Sequence, residues 1–460
     1  MNIMNIMSAP CMRALRPLCA ALLLPVAAPP AGAVVITLDP AQRFQVISGW
    51  EATAELSDTP AAPAPPSRAA LLDAVVEEIG INRVRLEIRA GAEGRDGAAR
   101  RFIAGTLPYA RYKQRFYMAE NDNADPQVID WSGFDFSELD WHVTRSVLPL
   151  RRRLQARGER LIVNLTYVSF RDGPTLHQDP EEYAEFVLAT YLHLQSAFGF
   201  VPDFWEVILE PDMSENAWNG ETIGRAVVAA ARRLRQAGFT PAFILPSVAN
   251  IDRAVPLIDE IARIPGAMEA VAELSYHRYR GNPRQALPRL AARARSLGKP
   301  TSMLEYWFGR GTPQVLHEDL KVGGAVAWQG RVLGGLVDVR NPRSSAPLIT
   351  PRDEIRYNLQ YFRYIREGAQ RIGARSDAPR RVDPLAFVNR NGRHVVVALT
   401  TGPAALEIRG LPAGSYRTSY AIARGSMLRP EAQRIAAGES LRVRMPGAGV
   451  ITIFQEPPPR

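Results

Sequence analysis

The chain has 460 residues, 46% hydrophobic and 22% charged, which is enough for one large globular domain with a smaller companion. Its formal net charge of +9 comes almost wholly from arginine, because lysine occurs only as Lys113, Lys299 and Lys321. The arginines are scattered and do not interleave with aromatic residues, so the charge gives no support for a nucleic-acid partner.

Residues 1–33 read as an export signal. Arg13 and Arg16 form a positive start, Leu18 to Ala28 an apolar stretch too short to span a bilayer, and Pro30-Ala31-Gly32-Ala33 a small-residue cleavage site. The expected location is therefore the periplasm or the exterior. Both cysteines, Cys11 and Cys19, fall in this segment. The mature chain would then have no thiol for disulfides, nucleophilic catalysis or thiolate metal sites. No later apolar run is long enough to cross a membrane.

After the segment "VVITLDP" (34–40), β-type runs alternate with helical patterns from residue 44 to 375. Eight strands are predicted, at 44–50, 81–88, 160–168, 203–210, 242–248, 271–277, 300–307 and 323–329. A helix is predicted over 68–79, with Leu71, Leu72, Val75, Val76 and Ile79 on one face and Gly80 as its stop. Asp179-Pro180-Glu181-Glu182 supplies a cap, a first-turn proline and two acids for another. The 90–129 connection is unusually long, carries Tyr109, Tyr112, Phe116 and Tyr117, and is expected to wall a cleft. No glycine-rich phosphate loop follows the first strand, so the pattern predicts an α/β (β/α)8 barrel rather than a dinucleotide fold. A linker at 376–381 follows. Short alternating strands at 382–457 then predict a small antiparallel β-sandwich, which segment 34–43 is placed to complete.

In such a barrel chemistry gathers where strands end. Two glutamates sit at predicted strand ends: Glu210 closes "WEVILE" on strand four and Glu305 closes "SMLE" on strand seven. A facing carboxylate pair can break a glycosidic bond without cofactor or metal. One group protonates the leaving oxygen and the other attacks the anomeric carbon.

Five stretches carry a family resemblance: "QVISGWEATAEL", "VILEP", "SYHRY", "MLEYW" and "YNLQYFRYIREGAQRIGA" (357–374). Together they resemble a clan A glycoside hydrolase, most closely glycoside hydrolase family 30, over nearly the whole mature chain. The resemblance implies a retaining enzyme acting on the β-bonds of a polysaccharide or oligosaccharide, with Glu210 as acid/base and Glu305 as nucleophile. It also implies that Arg85 supports the nucleophile, Tyr279 donates to it, His277 lines the sugar site, and a strand-eight tryptophan, Trp328, floors the central subsite. Trp307 is placed to stack on a sugar face. Two departures stand out. Leu209 replaces the asparagine that contacts the sugar 2-hydroxyl before the acid/base in the clan, so that either another polar group, such as Asn164 at the end of strand three, takes over that contact or the substrate lacks the usual group at that carbon. Trp50-Glu51 replaces Phe-Gly.

His177, His277 and His317 show no ligand spacing, so neither metal nor cofactor is expected. The expected partner is a carbohydrate, and the expected state a monomer. The alternative is a barrel that binds carbohydrate without cleaving it.

Overall fold

The computed structural model describes residues 32–456 except 58, 60, 214–217, 308 and 430. Most of the predicted export signal, with both cysteines, lies outside the described residues. Eight parallel strands close into a barrel: β2 (Gly49–Thr53), β3 (Arg83–Arg89), β4 (Ile162–Val168), β5 (Phe204–Glu206), β6 (Phe243–Asn250), β7 (Val271–Arg280), β8 (Thr301–Glu305) and β9 (Ala325–Val332), with β9 returning to pair with β2. These strands are buried on both faces, which is why a segment such as Ile162–Val168 reads as an almost unbroken apolar run.

A strand before the barrel, β1 (Val34–Val46), belongs to a second sheet. It pairs antiparallel with β12 (Gln370–Ser376) and, over Val34 to Thr37, parallel with β15 (Ala404–Arg409). That ten-stranded sheet, which runs on through the C-terminal strands to Gln455, folds over an apolar core of its own as a β-sandwich beside the barrel. Two sequence boundaries move. Residues 44–46 belong to β1 and the first barrel strand starts at Gly49; residues 370–375 belong to the side sheet, not the barrel.

Local signals act as read. The Asp179 carboxylate caps Pro180–Phe198 by accepting from the amides of Glu181 (2.8 Å) and Glu182 (3.3 Å). The helix of Pro65–Ala74 continues into a wider turn, Val75–Ile79, and Gly80 ends it at φ 95°. Any side chain at Gly80 would collide with the Phe362 carbonyl, 2.5 Å from the site of a Cβ. No helix among the described residues is long and apolar enough to cross a membrane.

The barrel interior carries charge. Arg83 of β3 reaches Glu51 (2.5 Å), Glu273 (2.7 Å) and Ser48 (2.8 Å), all buried or nearly so. Removing Arg83 would strip two buried carboxylates of the cation they bond, at a cost of about 3–5 kcal/mol.

The long connection after β3 packs Ala98, Ala99, Phe102, Tyr112 and Phe116 into a small core of its own. Tyr112 and Phe116 are therefore interior residues of this insertion and not an open wall. The insertion is tied back by the Asp122 amide to Glu93 (3.1 Å) and by Glu93 to His177 (2.7 Å). Beneath it Glu185 is 1% exposed, with neither carboxylate oxygen hydrogen-bonded among the described residues. Burial, reinforced by Asp122, pushes its pKa up to about 8. A carboxyl whose folded pKa is raised binds a proton on folding, so stability falls as pH climbs from the unfolded value, about 4.3, through 8. Glu185→Gln should therefore melt about 2 °C or more above the parent at pH 9, with the gap closing toward pH 5 in thermal scans.

Candidate active site

Strand β5 is shorter than predicted. It ends at Glu206, and the chain leaves the sheet through Val207 to Leu209, still held by amide hydrogen bonds from Val207 to Ile244 (3.0 Å) and from Leu209 to Tyr167 (3.0 Å). Glu210 thus sits on the turn after the strand, at φ 48°, with its amide on the Ser247 carbonyl (3.0 Å). Ser247 is left-handed too, at φ 51°. Non-glycine residues rarely hold this conformation, which costs of order 1–2 kcal/mol each, and such strain clusters where a side chain must be aimed. Asp212 fixes the neighbouring turn by accepting from the amides of Ala249 (2.7 Å) and Asn250 (2.8 Å).

Glu305 is the last residue of β8. Its Oε2 accepts from Arg85 Nη2 (2.6 Å) and its Oε1 from the Tyr279 hydroxyl (2.9 Å). Tyr279 in turn accepts from the Trp307 amide (3.1 Å). Burial, followed by the field of Glu305, raises the Tyr279 pKa far out of the working range, so this phenol remains a donor. Arg85 also bonds Glu87 (3.1 Å) and lies 5.4 Å from the Trp307 ring centroid. Its guanidinium is fully buried, and burial alone would lower its pKa; Glu305 and Glu87 outweigh that and raise it.

Across the mouth, His277 Nδ1 lies 2.7 Å from Glu210 Oε1. A carboxylate oxygen of Glu210, one of Glu305 and a His277 ring nitrogen all fall within 4.8 Å of one another. Glu210 is 8% and Glu305 7% exposed, so each retains a small opening. The trio has the spacing of a metal site, with Glu305 engaged by Arg85 and Tyr279 and His277 Nδ1 by Glu210. Burial would lower the His277 pKa, yet the bond to Glu210 and the fields of Glu210, Glu305 and Glu206 outweigh it and raise the value. The sign for stability follows: this contribution is complete below the unfolded value, about 6.5, and is lost as pH rises through the higher folded value. If the pair shares its last proton, the alkaline limb of the rate profile belongs to the pair. His277→Asn should move that limb toward acid, as measured in kcat/KM against pH.

Five of the eight residues singled out from sequence converge here: Glu210, Glu305, Arg85, His277 and Tyr279, with Trp307 beside Arg85. Two do not. Asn164 is the third residue of β4, below the strand end and fully buried, and its amide donates to Glu206 (2.9 Å), which Thr166 also meets (2.6 Å). Trp328 faces away from the barrel axis. Its indole donates to Asp319 (3.0 Å) and its ring lies 6.1 Å from Phe362 in the surrounding layer. Strand alternation gives the inward place to Gln329, which meets Thr53 of β2 (3.5 Å). Sequence reasoning missed Ser247, Asp212 and Gln329. Asp212 had a signal in "EPD" directly after the strand-four glutamate; the left-handed serine had none.

No family model and no curated protein matches the sequence. Solved structures do. The catalytic domain of GH30 xylanase C from Talaromyces cellulolyticus superposes with a TM-score of 0.67 at 14% identity, over 92% of this chain and 100% of that one. The chain thus shares the fold of that domain, a (β/α)8 barrel with a side β-sandwich. The endo-β-1,6-glucanase BT3312 matches at 0.64 and 15% identity, over 94% of this chain and 95% of its own. A GH39 enzyme from Xanthomonas axonopodis pv. citri matches at 0.51 and 13%, over 93% and 98%. Each of these matches covers more than nine-tenths of this chain.

Proposed function

We propose that this chain is an exported retaining glycoside hydrolase that cleaves β-glycosidic bonds by double displacement. The observation that carries the reading is the approach of two carboxylates to within 4.8 Å across a barrel mouth, with unlike surroundings. Retaining enzymes hold their pair about 5–5.5 Å apart, whereas inverting enzymes leave about 6.5–9.5 Å for a water.

The surroundings assign the roles. Glu305 is clamped by a buried guanidinium and a phenol that both donate to it and fix its aim, which suits a nucleophile. Among the described residues Glu210 bonds His277, with which it can exchange a proton, which suits an acid that later becomes a base. In the first step Glu305 attacks the anomeric carbon, the bond to the leaving oxygen breaks, and Glu210 supplies that oxygen's proton. In the second, Glu210 takes a proton from water, whose oxygen displaces Glu305. The export signal at 1–33 supports a periplasmic or secreted location. The named neighbours, a xylanase and an endo-β-1,6-glucanase, support a β-glycan or oligosaccharide as substrate. Incubation with a panel of β-glycans, followed by proton NMR of the first products, tests the proposal. The β-anomer should appear before mutarotation; initial release of the α-anomer, or no cleavage of any glycan, overturns it.

A further inference from the structure

The opposite end of the barrel holds a cavity of about 750 Å³, within the range of small-molecule sites, about 300–1,000 Å³. Its walls come from residues at which barrel strands begin, among them Ile162, Phe204 and Thr301, and from the end of β1 and Arg371 of β12. It therefore lies on the face away from Glu210 and Glu305.

Charge on this floor is unbalanced. Four of its cations, Arg43, Arg295, Lys299 and Arg371, have no carboxylate within 4.0 Å among the described residues. The two carboxylates that line it are committed elsewhere, Glu273 to Arg83 and Glu367 to Arg390. Arg371 is 7% exposed; its Nη1 donates to the carbonyls of Leu320 (2.8 Å) and Lys321 (3.1 Å) and to Gln45 Oε1 (3.3 Å), while its Nε has no partner. Burial, only partly opposed by Asp383, pushes this guanidinium down to about 10. A bound anion would reverse that penalty.

An aromatic ring completes the feature. Phe44 lies over the Arg371 guanidinium at 4.3 Å and is 44% exposed. A flat apolar surface beside unpaired guanidinium groups suits a sugar ring that carries a carboxylate, with the ring's C–H face on Phe44 and the anion on the arginine forks. We propose that the barrel floor is a non-catalytic binding site for an acidic, carboxylate-bearing oligosaccharide. The choice of a saccharide rests on the glycosidase reading, whereas the preference for an anion rests on the floor alone. Such a site would hold one stretch of a long acidic glycan while another reaches the mouth, raising its effective concentration there.

The test titrates trigalacturonate into the full chain and into two variants altered at exposed floor positions, the double variant Arg43→Ser/Arg295→Ser and Phe44→Ala. Calorimetry in low salt should show saturable binding, weakened at least tenfold in the double variant and severalfold in Phe44→Ala. Maltotriose, its neutral counterpart in length, should not bind the floor, and inorganic sulfate should bind far more weakly. Turnover of a short neutral aryl glycoside should be unchanged in both variants. Unaltered binding in the double variant overturns the site, as does sulfate binding as tightly as trigalacturonate. Glycan hydrolysis without trigalacturonate binding removes the floor site and leaves the glycosidase standing; binding without hydrolysis does the reverse.

Discussion

Glu305→Ala should lower kcat/KM about 10⁴-fold or more on any glycoside the enzyme cleaves, with the fold intact. The size follows from what the residue supplies: without it the anomeric carbon meets no positioned nucleophile, and the covalent intermediate cannot form. The fold should survive because Arg85, the buried cation left behind, still has Glu87 at 3.1 Å. Losing both carboxylates would leave a charge with no counterion, at a cost of about 3–5 kcal/mol. Far-ultraviolet circular dichroism and a melting curve check this. Azide provides the sharper test. A small anion fits the space vacated by the carboxylate and attacks from the same face, so rescued turnover should give a glycosyl azide of inverted configuration. If Glu305→Ala cleaves at the parent rate, or azide restores nothing on an activated aryl glycoside, Glu305 is not the nucleophile.

Much of this architecture was legible because its signals are local. Closed parallel strands are buried on both sides and so read as apolar runs between capped helices, as around Ile162 to Val168 and Asp179 to Glu182. Glu305, Arg85, His277 and Tyr279 could be located because each lies within a strand that the sequence marks as one. The failures share a cause as well. Trp328 and Asn164 were judged by residue type near a strand end, but direction and depth are set by register between strands distant in sequence. Trp328 is turned outward by alternation, and Asn164 lies a layer below the mouth, spent on Glu206. The short β5 escaped detection because "EVILEP" remains apolar after its backbone has left the ladder. What replaces the ladder is a left-handed Glu210 held by a left-handed Ser247, a pairing across two loops without a local signature.

The second large effect separates the two acids from each other. Glu210→Ala should depress kcat/KM about 10²–10⁴-fold on substrates with a poor leaving group, because no proton reaches the departing oxygen. With a leaving group as acidic as dinitrophenol that proton is not needed, so formation of the glycosyl-enzyme should stay near the parent rate. Its hydrolysis, which needs Glu210 as base, should become limiting, seen as a burst of phenol and a fall in KM. Glu305→Ala should show neither selectivity nor burst, since its loss blocks attack whatever leaves. The strained backbone at φ 48° sharpens the comparison. Because that geometry is fixed by the Ser247 carbonyl and the Asp212 loop anchors, deleting the side chain should leave the turn in place. The two variants then differ only in which carboxylate is missing. Equal losses on nitrophenyl and alkyl glycosides in Glu210→Ala, with no burst, would strip Glu210 of the acid/base role and return the assignment to its partner His277.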